Sequence, residues 1–173
     1  MTVEIVPADV PLDTVARLAE IVNQAYAEGE KGLWLSGAAR TSVEQLAGLV
    51  ERGEIAAARR DGAVVGAVRV REPAVDLSEL GMLAADPAER GSGIGRELVE
   101  FAERRARERG SRSMRLELLV PIEGEHPVKE FLRGWYTRRD YRETGAGDLA
   151  ETHPDLAPLL AVPCRLVQFH KAL

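Results

Sequence analysis

The fold of this chain is decided by the stretch Glu79-Leu80-Gly81-Met82-Leu83-Ala84-Ala85-Asp86-Pro87, followed shortly by Arg90-Gly91-Ser92-Gly93-Ile94-Gly95-Arg96. A charged amphipathic segment then runs to Gly110. This order predicts a buried strand, a tight turn and a helix. Glycines leave the backbone N–H groups of such a turn uncovered, and the first turn of the helix adds free N–H groups and partial positive charge. The stretch therefore predicts a binding loop for phosphate groups.

The spacing of these glycines excludes two common nucleotide-binding loops. The run has no Gly-Lys-Ser/Thr ending, so it is not a P-loop. It is not the Gly-x-Gly-x-x-Gly loop of dinucleotide sites either, because its glycines fall at positions 91, 93 and 95. The remaining pattern is Arg90-x-x-Gly93-x-Gly95, preceded by a strand and by Asp86-Pro87. It resembles the Q/R-x-x-G-x-G/A signature of the GNAT superfamily of N-acetyltransferases.

The resemblance implies a cosubstrate and the residues that hold it. Members of this superfamily use acetyl-CoA, bind its pyrophosphate on the amides of the loop and support its pantetheine arm on the preceding strand. The chain is therefore expected to be an acyltransferase. The positions that match the loop are Arg90, Gly91, Ser92, Gly93, Ile94, Gly95 and Arg96, and those that match the strand are Leu83, Ala84 and Ala85.

Composition limits the class of protein. A chain of 173 residues with 45% hydrophobic content is expected to form one domain, residues 1–173, around a single core. The one cysteine, Cys164, cannot form an internal disulfide, and neither a membrane-length apolar run nor a signal peptide is apparent. These features predict a soluble cytoplasmic protein with no membrane partner. The net charge of −5 argues against nucleic acid, and the three histidines lack the spacing of metal ligands.

The order of the predicted elements defines the fold class. Hydrophobic periodicity predicts a strand, two helices, three strands, a helix, a strand, a helix and two strands. This is an α/β (α+β) arrangement with a mixed, mostly antiparallel sheet of about seven strands and helices on both faces, similar to the GNAT fold. The run from Trp135 to Tyr141 resembles the Tyr-x-x-x-Gly-Phe ending of the family's last helix, with Asp140 in place of the glycine. His126 or Lys129 occupies the region of an asparagine that the family often carries.

Capping and turn signals predict the element boundaries. Asp9 or Asp13 is expected to cap the first helix, and Ser42 is expected to form a capping box at the second. Asp61-Gly62 predicts a tight hairpin. The segment 145–163 is rich in glycine and proline and is expected to cross the surface, with a short helical turn near 156–160. A later helix is predicted to begin at Pro127 and to bury Val128, Phe131, Leu132 and Trp135.

The chemistry implied by the resemblance needs a base. Transfer of an acetyl group from a thioester to an amine requires that the amine lose its proton. Glu79 and Glu117 are the candidates, because both lie on central strands beside the proposed cleft. Glu117 also falls where some family members carry a base. Each glutamate could instead be the solvent-facing residue of an alternating strand.

Two further groups would complete the reaction. Gly81 could permit a bulge that frees the N–H of Leu83 to polarise the thioester carbonyl, or it could only make room for a neighbouring helix. The resemblance assigns Tyr136 the role of the acid that protonates the departing thiolate. A weakly acidic phenol suits that role, although a tyrosine packed in the core is the alternative.

The acceptor is not specified by these motifs. In this family the first two helices and the loop between them shape its site, which corresponds here to about residues 26–40. Trp34 could supply an aromatic wall, and Glu28 or Glu30 could attract an ammonium group. A small amine, an amino acid, an antibiotic and a protein N-terminus or lysine are all compatible acceptors.

Two other properties are compatible with the same sequence. A non-catalytic sensor or regulatory domain that binds acetyl-CoA would carry the same loop without transferring an acetyl group. Exposed apolar residues in the segment 145–163 could also pair two copies of the chain into a homodimer.

Overall fold

A mixed seven-stranded sheet forms the centre of the structure, a computed structural model that describes residues 1–173. Its strands are β1 (Thr2–Ile5), β2 (Ile55–Arg60), β3 (Ala63–Ala74), β4 (Leu77–Ala85), β5 (Ser113–Pro121), β6 (Arg142–Gly147) and β7 (Cys164–Ala172). Its helices are α1 (Leu12–Gly29), α2 (Val43–Glu51), α3 (Ile94–Glu108), α4 (Pro127–Thr137) and α5 (Leu149–Thr152). The strands lie in the order β1-β2-β3-β4-β5-β7-β6, which confirms the predicted fold class.

The contact between β4 and β5 is the only parallel one in the sheet, and it is short. The paired residues run from Leu77 opposite Ser113 to Glu79 opposite Arg115, and every other neighbouring pair of strands is antiparallel. Beyond Glu79 the two strands have no paired residues in common. The sheet therefore opens into a wedge between β4 and β5.

Helices cover both faces of the sheet, and the alternation of side chains along β2 shows why. Ile55 and Ala57 belong to a core that also contains the buried residues of α1 and α2. Ala56 and Ala58 point to the opposite face and belong to the core built on α3. Because successive side chains of a strand alternate between faces, one small apolar strand serves both cores. No helix is long and apolar enough to cross a lipid bilayer.

Local chemistry explains most of the boundaries. Ser42 and Gln45 form the predicted capping box at α2, and the hairpin at Asp61-Gly62 joins β2 to β3. The predicted cap of α1 was wrong, because the helix follows Pro11 and has no side-chain cap. Proline fixes a φ angle that is compatible with the start of a helix, so a carboxylate cap is not needed there.

Helix α4 begins at Pro127 as predicted, but only part of its predicted inward face is buried: Leu132 and Trp135 pack against the core, partly buried. Val128 and Phe131 are exposed, with 37% and 60% of their surface accessible. The fully buried residues of the helix are Lys129 and Tyr136. Lys129 can lie inside because its ammonium group is neutralised there, which the apolar periodicity of a single helix could not reveal.

The segment 145–163 is more ordered than its composition predicts. Strand β6 extends into it, α5 follows, and a 3-10 turn at Ala157–Leu159 matches the predicted helical turn. Leu35 N–H donates to the carbonyl of Leu159, and Ala161 N–H donates to the carbonyl of Leu33. The segment is therefore held against the loop between α1 and α2, and together they cover one end of the wedge.

Candidate active site

The loop that enters α3 presents a row of unbonded backbone N–H groups. Gly91 and Gly93 adopt left-handed conformations, with φ angles of 81° and 86°. The N–H groups of Gly91, Gly93, Ile94, Gly95 and Arg96 donate to no acceptor in the protein. Because these groups lie at the positive end of a helix, the loop has the donors and the charge that an anionic ligand requires.

Side chains of the loop hold it in place and leave its amides free. Asp86 pairs with Arg17 of α1 and accepts a hydrogen bond of 2.9 Å from the N–H of Ala88. The Arg90 guanidinium lies 2.7 Å from a carboxylate oxygen of Glu28, at the end of α1. The predicted loop residues thus divide into backbone donors and a side chain, Arg90, that ties the loop to α1.

Gly66 sets the distance between α3 and the sheet. A Cβ atom at Gly66 would lie 2.6 Å from Cγ2 of Ile94 and 2.9 Å from the carbonyl oxygen of Ala84. The first turn of α3 can approach β3 only because this side chain is missing. Gly81 was expected either to permit a bulge or to make room for a helix, and the second alternative is wrong, because a Cβ there would meet nothing within 4 Å.

Strand β4 contains a bulge next to Gly81, where the sequence suggested one. Gly81 pairs with Arg69, whereas the next paired residue of β4 is Ala84, opposite Ala67. Met82 takes the left-handed conformation, with φ of 47°, so the unusual backbone belongs to Met82 and not to Gly81. Met82 and Leu83 have no paired residue in either neighbouring strand. The bulge is at the edge of the wedge.

The wedge cavity, of about 110 Å³, lies between β4 and β5 and is lined by Leu83, Glu117 and Tyr136 among others. Of the three predicted strand residues, only Leu83 borders it. Ala84 is buried in the core beneath α1, and Ala85 packs against the core beneath α3. The predicted acid and the predicted amide donor therefore border the same space as one of the two predicted bases.

Tyr136 is buried in an aromatic cluster at the wall of the wedge cavity. Its ring centre lies 5.0 Å from that of Trp135 and 5.8 Å from that of Tyr141. Its hydroxyl makes no hydrogen bond within the protein. Burial raises the pKa of the Tyr136 hydroxyl well above its ordinary value, and the neighbouring Tyr26 adds to this increase. The phenol therefore stays protonated at neutral pH, and its pKa lies further above that of a thiol than the pKa of a free tyrosine does.

The two candidate bases have different surroundings. Glu79 is held by two arginines, with Nε of Arg71 at 2.7 Å and Nε of Arg115 at 2.8 Å from its carboxylate oxygens. Glu117 is partly buried and forms neither a hydrogen bond nor an ion pair. Both carboxylates line a second cavity, which we call the side cavity. Glu117 alone of the two also lines the wedge cavity.

The two glutamates that were expected to attract an ammonium group are already neutralised. Glu28 pairs with Arg90 on the surface. Glu30 is buried, lies 2.7 Å from Nζ of Lys129 and accepts a hydrogen bond of 2.5 Å from Nε1 of Trp34. Glu30 is therefore not free to attract an ammonium group, whereas the role suggested for Glu28 stays a prediction. Lys129, which matches the region of the family's asparagine, instead closes a buried ion pair.

Two residues of the side cavity were not singled out by sequence reasoning. Arg40 belongs to the loop between α1 and α2, and His153 follows α5. Burial lowers the pKa of His153, and the positive charge of Arg40 lowers it further, so the imidazole is neutral at neutral pH. Neither residue lies in a motif, and only the contact between their two loops brings them to the same cavity.

Comparisons with known proteins agree with this geometry. A model of the acetyltransferase (GNAT) family matches residues 20–127. A search of curated proteins gave no significant match. Among solved structures, a ribosomal-protein-alanine N-acetyltransferase from Brucella melitensis is 18% identical, with a TM-score of 0.72 and complete coverage of both chains.

Two further solved structures were determined with coenzyme A. An aminoglycoside 6′-N-acetyltransferase is 16% identical, with a TM-score of 0.74 over 99% of this chain and 97% of the other. The PaiA N-acetyltransferase of Thermoplasma acidophilum is 16% identical, with a TM-score of 0.71 over 100% of both chains. The fold is shared with these proteins, and the family model covers more than half of the sequence. The chain therefore belongs to the GNAT family of acetyltransferases.

Proposed function

We propose that the protein moves an acetyl group from acetyl-CoA directly to a primary amine. The observation that carries this proposal is the position of Glu117, which borders both the wedge cavity and the side cavity. The wedge cavity also contains Leu83 and Tyr136, whereas the side cavity contains polar groups of the first loop. An unpaired carboxylate thus lies where a donor in one cavity and an acceptor in the other would meet.

The loop between β4 and α3 suits the pyrophosphate of coenzyme A. Its five unbonded N–H groups can donate to phosphate oxygens, and the left-handed Gly91 and Gly93 keep side chains away from them. Leu83 supplies apolar surface for the pantetheine arm where β4 leaves β5. Acetyl-CoA would supply an activated acetyl thioester at the end of that arm.

Glu117 is the better of the two candidate bases. Its carboxylate is free to accept a proton from the attacking amine, directly or through one water molecule. The carboxylate oxygens of Glu79 already accept hydrogen bonds from two arginines. We assign Glu79 the role of fixing the ends of β4 and β5 where they are paired, and Glu117 the role of base.

Leu83 and Tyr136 are assigned to the two atoms that gain negative charge in the reaction, the carbonyl oxygen and the sulfur. The bulge leaves Leu83 without a strand partner, and its N–H would donate to the carbonyl oxygen of the acetyl group. The bond from the amine nitrogen to the acetyl carbon forms as the bond from that carbon to sulfur breaks. Glu117 first takes the proton of the ammonium group and passes it to water, and then takes the second nitrogen proton as the new bond forms. The sulfur receives a proton from Tyr136, and exchange with solvent afterwards removes the proton from Glu117 and restores that of Tyr136.

The test is release of free thiol from acetyl-CoA across a panel of primary amines, together with calorimetric binding of acetyl-CoA. Glu117→Gln and Tyr136→Phe are each expected to lower kcat by about 100-fold or more while acetyl-CoA still binds. Glu79→Gln is the matched control, since it is also a glutamate of the side cavity. We expect a much smaller loss of kcat from it.

Two outcomes would contradict these assignments. If Glu79→Gln abolishes turnover and Glu117→Gln does not, the roles of the two carboxylates are reversed. If acetyl-CoA binds but no amine increases thiol release above the background of hydrolysis, the protein is the non-catalytic sensor that the sequence also allows.

A further inference from the structure

Ion pairing leaves one partly buried acid without a partner. Every other buried or partly buried acidic side chain forms an ion pair with an arginine or a lysine, including Glu30 with Lys129 and Glu79 with two arginines. Glu117 forms none. Its negative charge is therefore available to a ligand.

Arg40 is the corresponding cation without an ion-pair partner. Six arginines form no ion pair, and four of these, Arg104, Arg138, Arg142 and Arg165, are exposed to solvent. Arg105 is partly buried but donates to the carbonyl of Gly53. Arg40 is a partly buried residue, and its guanidinium donates to neither a carboxylate nor a carbonyl. Its positive charge has no counter-ion in the protein, so an anionic partner would be stabilising.

The backbone that carries Arg40 is fixed by α1. Oδ1 of Asn23 accepts hydrogen bonds from the N–H of Arg40 at 2.9 Å and from the N–H of Thr41 at 3.0 Å, and its amide donates to the carbonyl of Thr41. The guanidinium carbon lies 5.2 Å from the centre of the Tyr26 ring. Arg40 is thus positioned by the protein before any ligand arrives.

Both unpaired charges line the side cavity. The other charges that line it already have partners in the protein: Glu30 pairs with Lys129, Glu79 with Arg71 and Arg115, and Arg69 with Glu54, which also pairs with Arg52. Because two arginines share each of the carboxylates of Glu79 and Glu54, the cavity has an excess of positive charge, which also favours an anionic ligand. Arg40 is the lining arginine without a carboxylate partner, and Glu117 is the lining carboxylate without a cation. An adjoining cavity of about 220 Å³, mostly lined by apolar residues, shares Tyr26 and Arg40 with it.

We infer that the acceptor is a small molecule that carries a carboxylate together with its primary amine, that is, a free amino acid or a close analogue. Arg40 binds the carboxylate through its guanidinium, and the ammonium group lies by Glu117, which then removes its proton. This inference rests on the proposed acetyl transfer and adds the acceptor class. A protein N-terminus is disfavoured, because its α-carboxylate is replaced by an amide that cannot pair with Arg40.

The experiment compares each acceptor with its own amide. L-amino acids with apolar side chains, chosen to suit the adjoining cavity, are paired with their α-carboxamides, which mimic a peptide N-terminus. The amide amine is the less basic of the two, so the acid and the amide also differ in amine protonation and nucleophilicity. The comparison with Arg40→Gln separates the two causes, because that variant changes recognition of the carboxylate and leaves amine basicity unchanged. Binding is measured by calorimetry in the presence of coenzyme A, and turnover is measured by thiol release.

The expected result is that at least one acid binds and reacts about tenfold to 100-fold better than its amide. Arg40→Gln is expected to remove that preference by weakening the acid alone, and Arg40→Lys to restore part of it. Arg142→Gln is the control, because Arg142 is exposed, forms no ion pair and lines neither cavity. It is expected to change nothing.

The outcomes separate this inference from the proposed function. If amides react as well as acids, or if Arg40→Gln weakens both equally, the carboxylate site is wrong while acetyl transfer stands. If an acid binds in an Arg40-dependent manner but is never acetylated, the anion site stands and the transferase proposal fails. If no acid binds better than its amide, the inference is overturned.

Discussion

At the scale of single residues, the buried pair of Glu30 and Lys129 has a large expected effect on stability. Their side chains are only 6% and 4% exposed, and Glu30 also accepts a hydrogen bond from Trp34. Removing one partner leaves an uncompensated charge inside the protein. We therefore expect Lys129→Met to lower the free energy of unfolding by about 3–5 kcal/mol, measured by urea denaturation.

Two comparisons check that this effect comes from the buried charge. Combining Lys129→Met with Glu30→Gln should recover much of the loss, because glutamine is neutral and can still accept from Trp34. Arg133→Met removes an ion pair with Glu143 that is much more exposed, and its cost should stay below about 1 kcal/mol. A loss of less than about 1 kcal/mol in Lys129→Met would contradict the prediction.

The same pair shows what sequence reasoning misses at this scale. The residues that match the family signature could be chosen without coordinates, because the loop is defined by local glycine spacing. The partners of a charge are not local, since Lys129 is 99 positions away from Glu30. For that reason Glu30 was misread as a group that attracts the acceptor, and Arg40 was not recognised as an unpaired cation.

At the scale of elements, three helices end in the same hydrogen-bonded turn. At the end of α3, Ser111 N–H donates to the carbonyl of Ala106 and Gly110 N–H to that of Arg107. At the end of α4, the N–H groups of Tyr141 and Asp140 make the equivalent bonds to Tyr136 and Thr137. The turn requires a left-handed residue, which is glycine at 53 and 110 but Asp140, with φ of 67°, after α4. The departure from the family's glycine therefore leaves the turn intact.

Replacing Asp140 by glycine should stabilise the protein. The left-handed conformation costs an L-residue about 1–2 kcal/mol, less for aspartate, and the Asp140 side chain makes no hydrogen bond or ion pair that would be lost. Glycine loses more conformational entropy on folding than aspartate does, and this cost offsets part of the gain. We therefore expect the free energy of unfolding to rise by about 0.5–1 kcal/mol. Thermal denaturation would measure it, with Gly110→Asp as the reverse change. A melting temperature that falls in Asp140→Gly would refute this account.

Elements that depend on neighbouring residues could be predicted, and elements that depend on distant contacts could not. Ser42, Asp61-Gly62 and Pro127 each set a boundary through their own backbone chemistry, and all three predictions were confirmed. The burial of Lys129 on α4 depends on Glu30, and the ordering of the segment 145–163 depends on contacts with residues 33–35. Those contacts exist only in the folded chain, so periodicity alone wrongly placed Val128 and Phe131 inside and predicted too little structure for the segment.

At the scale of the whole molecule, the site results from the gap between two neighbouring strands of the sheet, β4 and β5. The order of strands and helices was predictable from hydrophobic patterns and from the family resemblance. The wedge was not, because it arises from a parallel contact that stops after Glu79 and from a bulge at Met82. Glu117 and Arg40 become neighbours of one cavity only through that opening and through the loops that cover it.

The three tyrosines of the chain make global stability sensitive to high pH. Burial raises the pKa of Tyr136 and of Tyr141, and the carboxylate of Glu103, which accepts a hydrogen bond of 3.0 Å from Tyr141, raises the latter further. Burial also raises the pKa of Tyr26, against the opposing charge of Arg40. The unfolded value is about 10, so the folded state holds these protons more tightly than the unfolded state does.

The sign of the effect follows from linkage. A raised pKa in the folded state means that the stabilisation is complete below about pH 10 and is lost as the pH rises toward the folded values. Each such tyrosine should lower the free energy of unfolding by about 1.4 kcal/mol per pH unit in that range. We expect the absorbance of tyrosinate at 295 nm and the loss of far-UV circular dichroism to rise together in one steep transition above pH 10.

Tyr136→Phe should make the decline of stability with pH shallower, because one fewer tyrosine with a raised pKa titrates. The Tyr136 hydroxyl makes no hydrogen bond in the protein, so its removal does not complicate the comparison. If the tyrosines ionise near pH 10 while the circular dichroism is unchanged, they are open to solvent in the folded protein and the buried aromatic cluster is wrong.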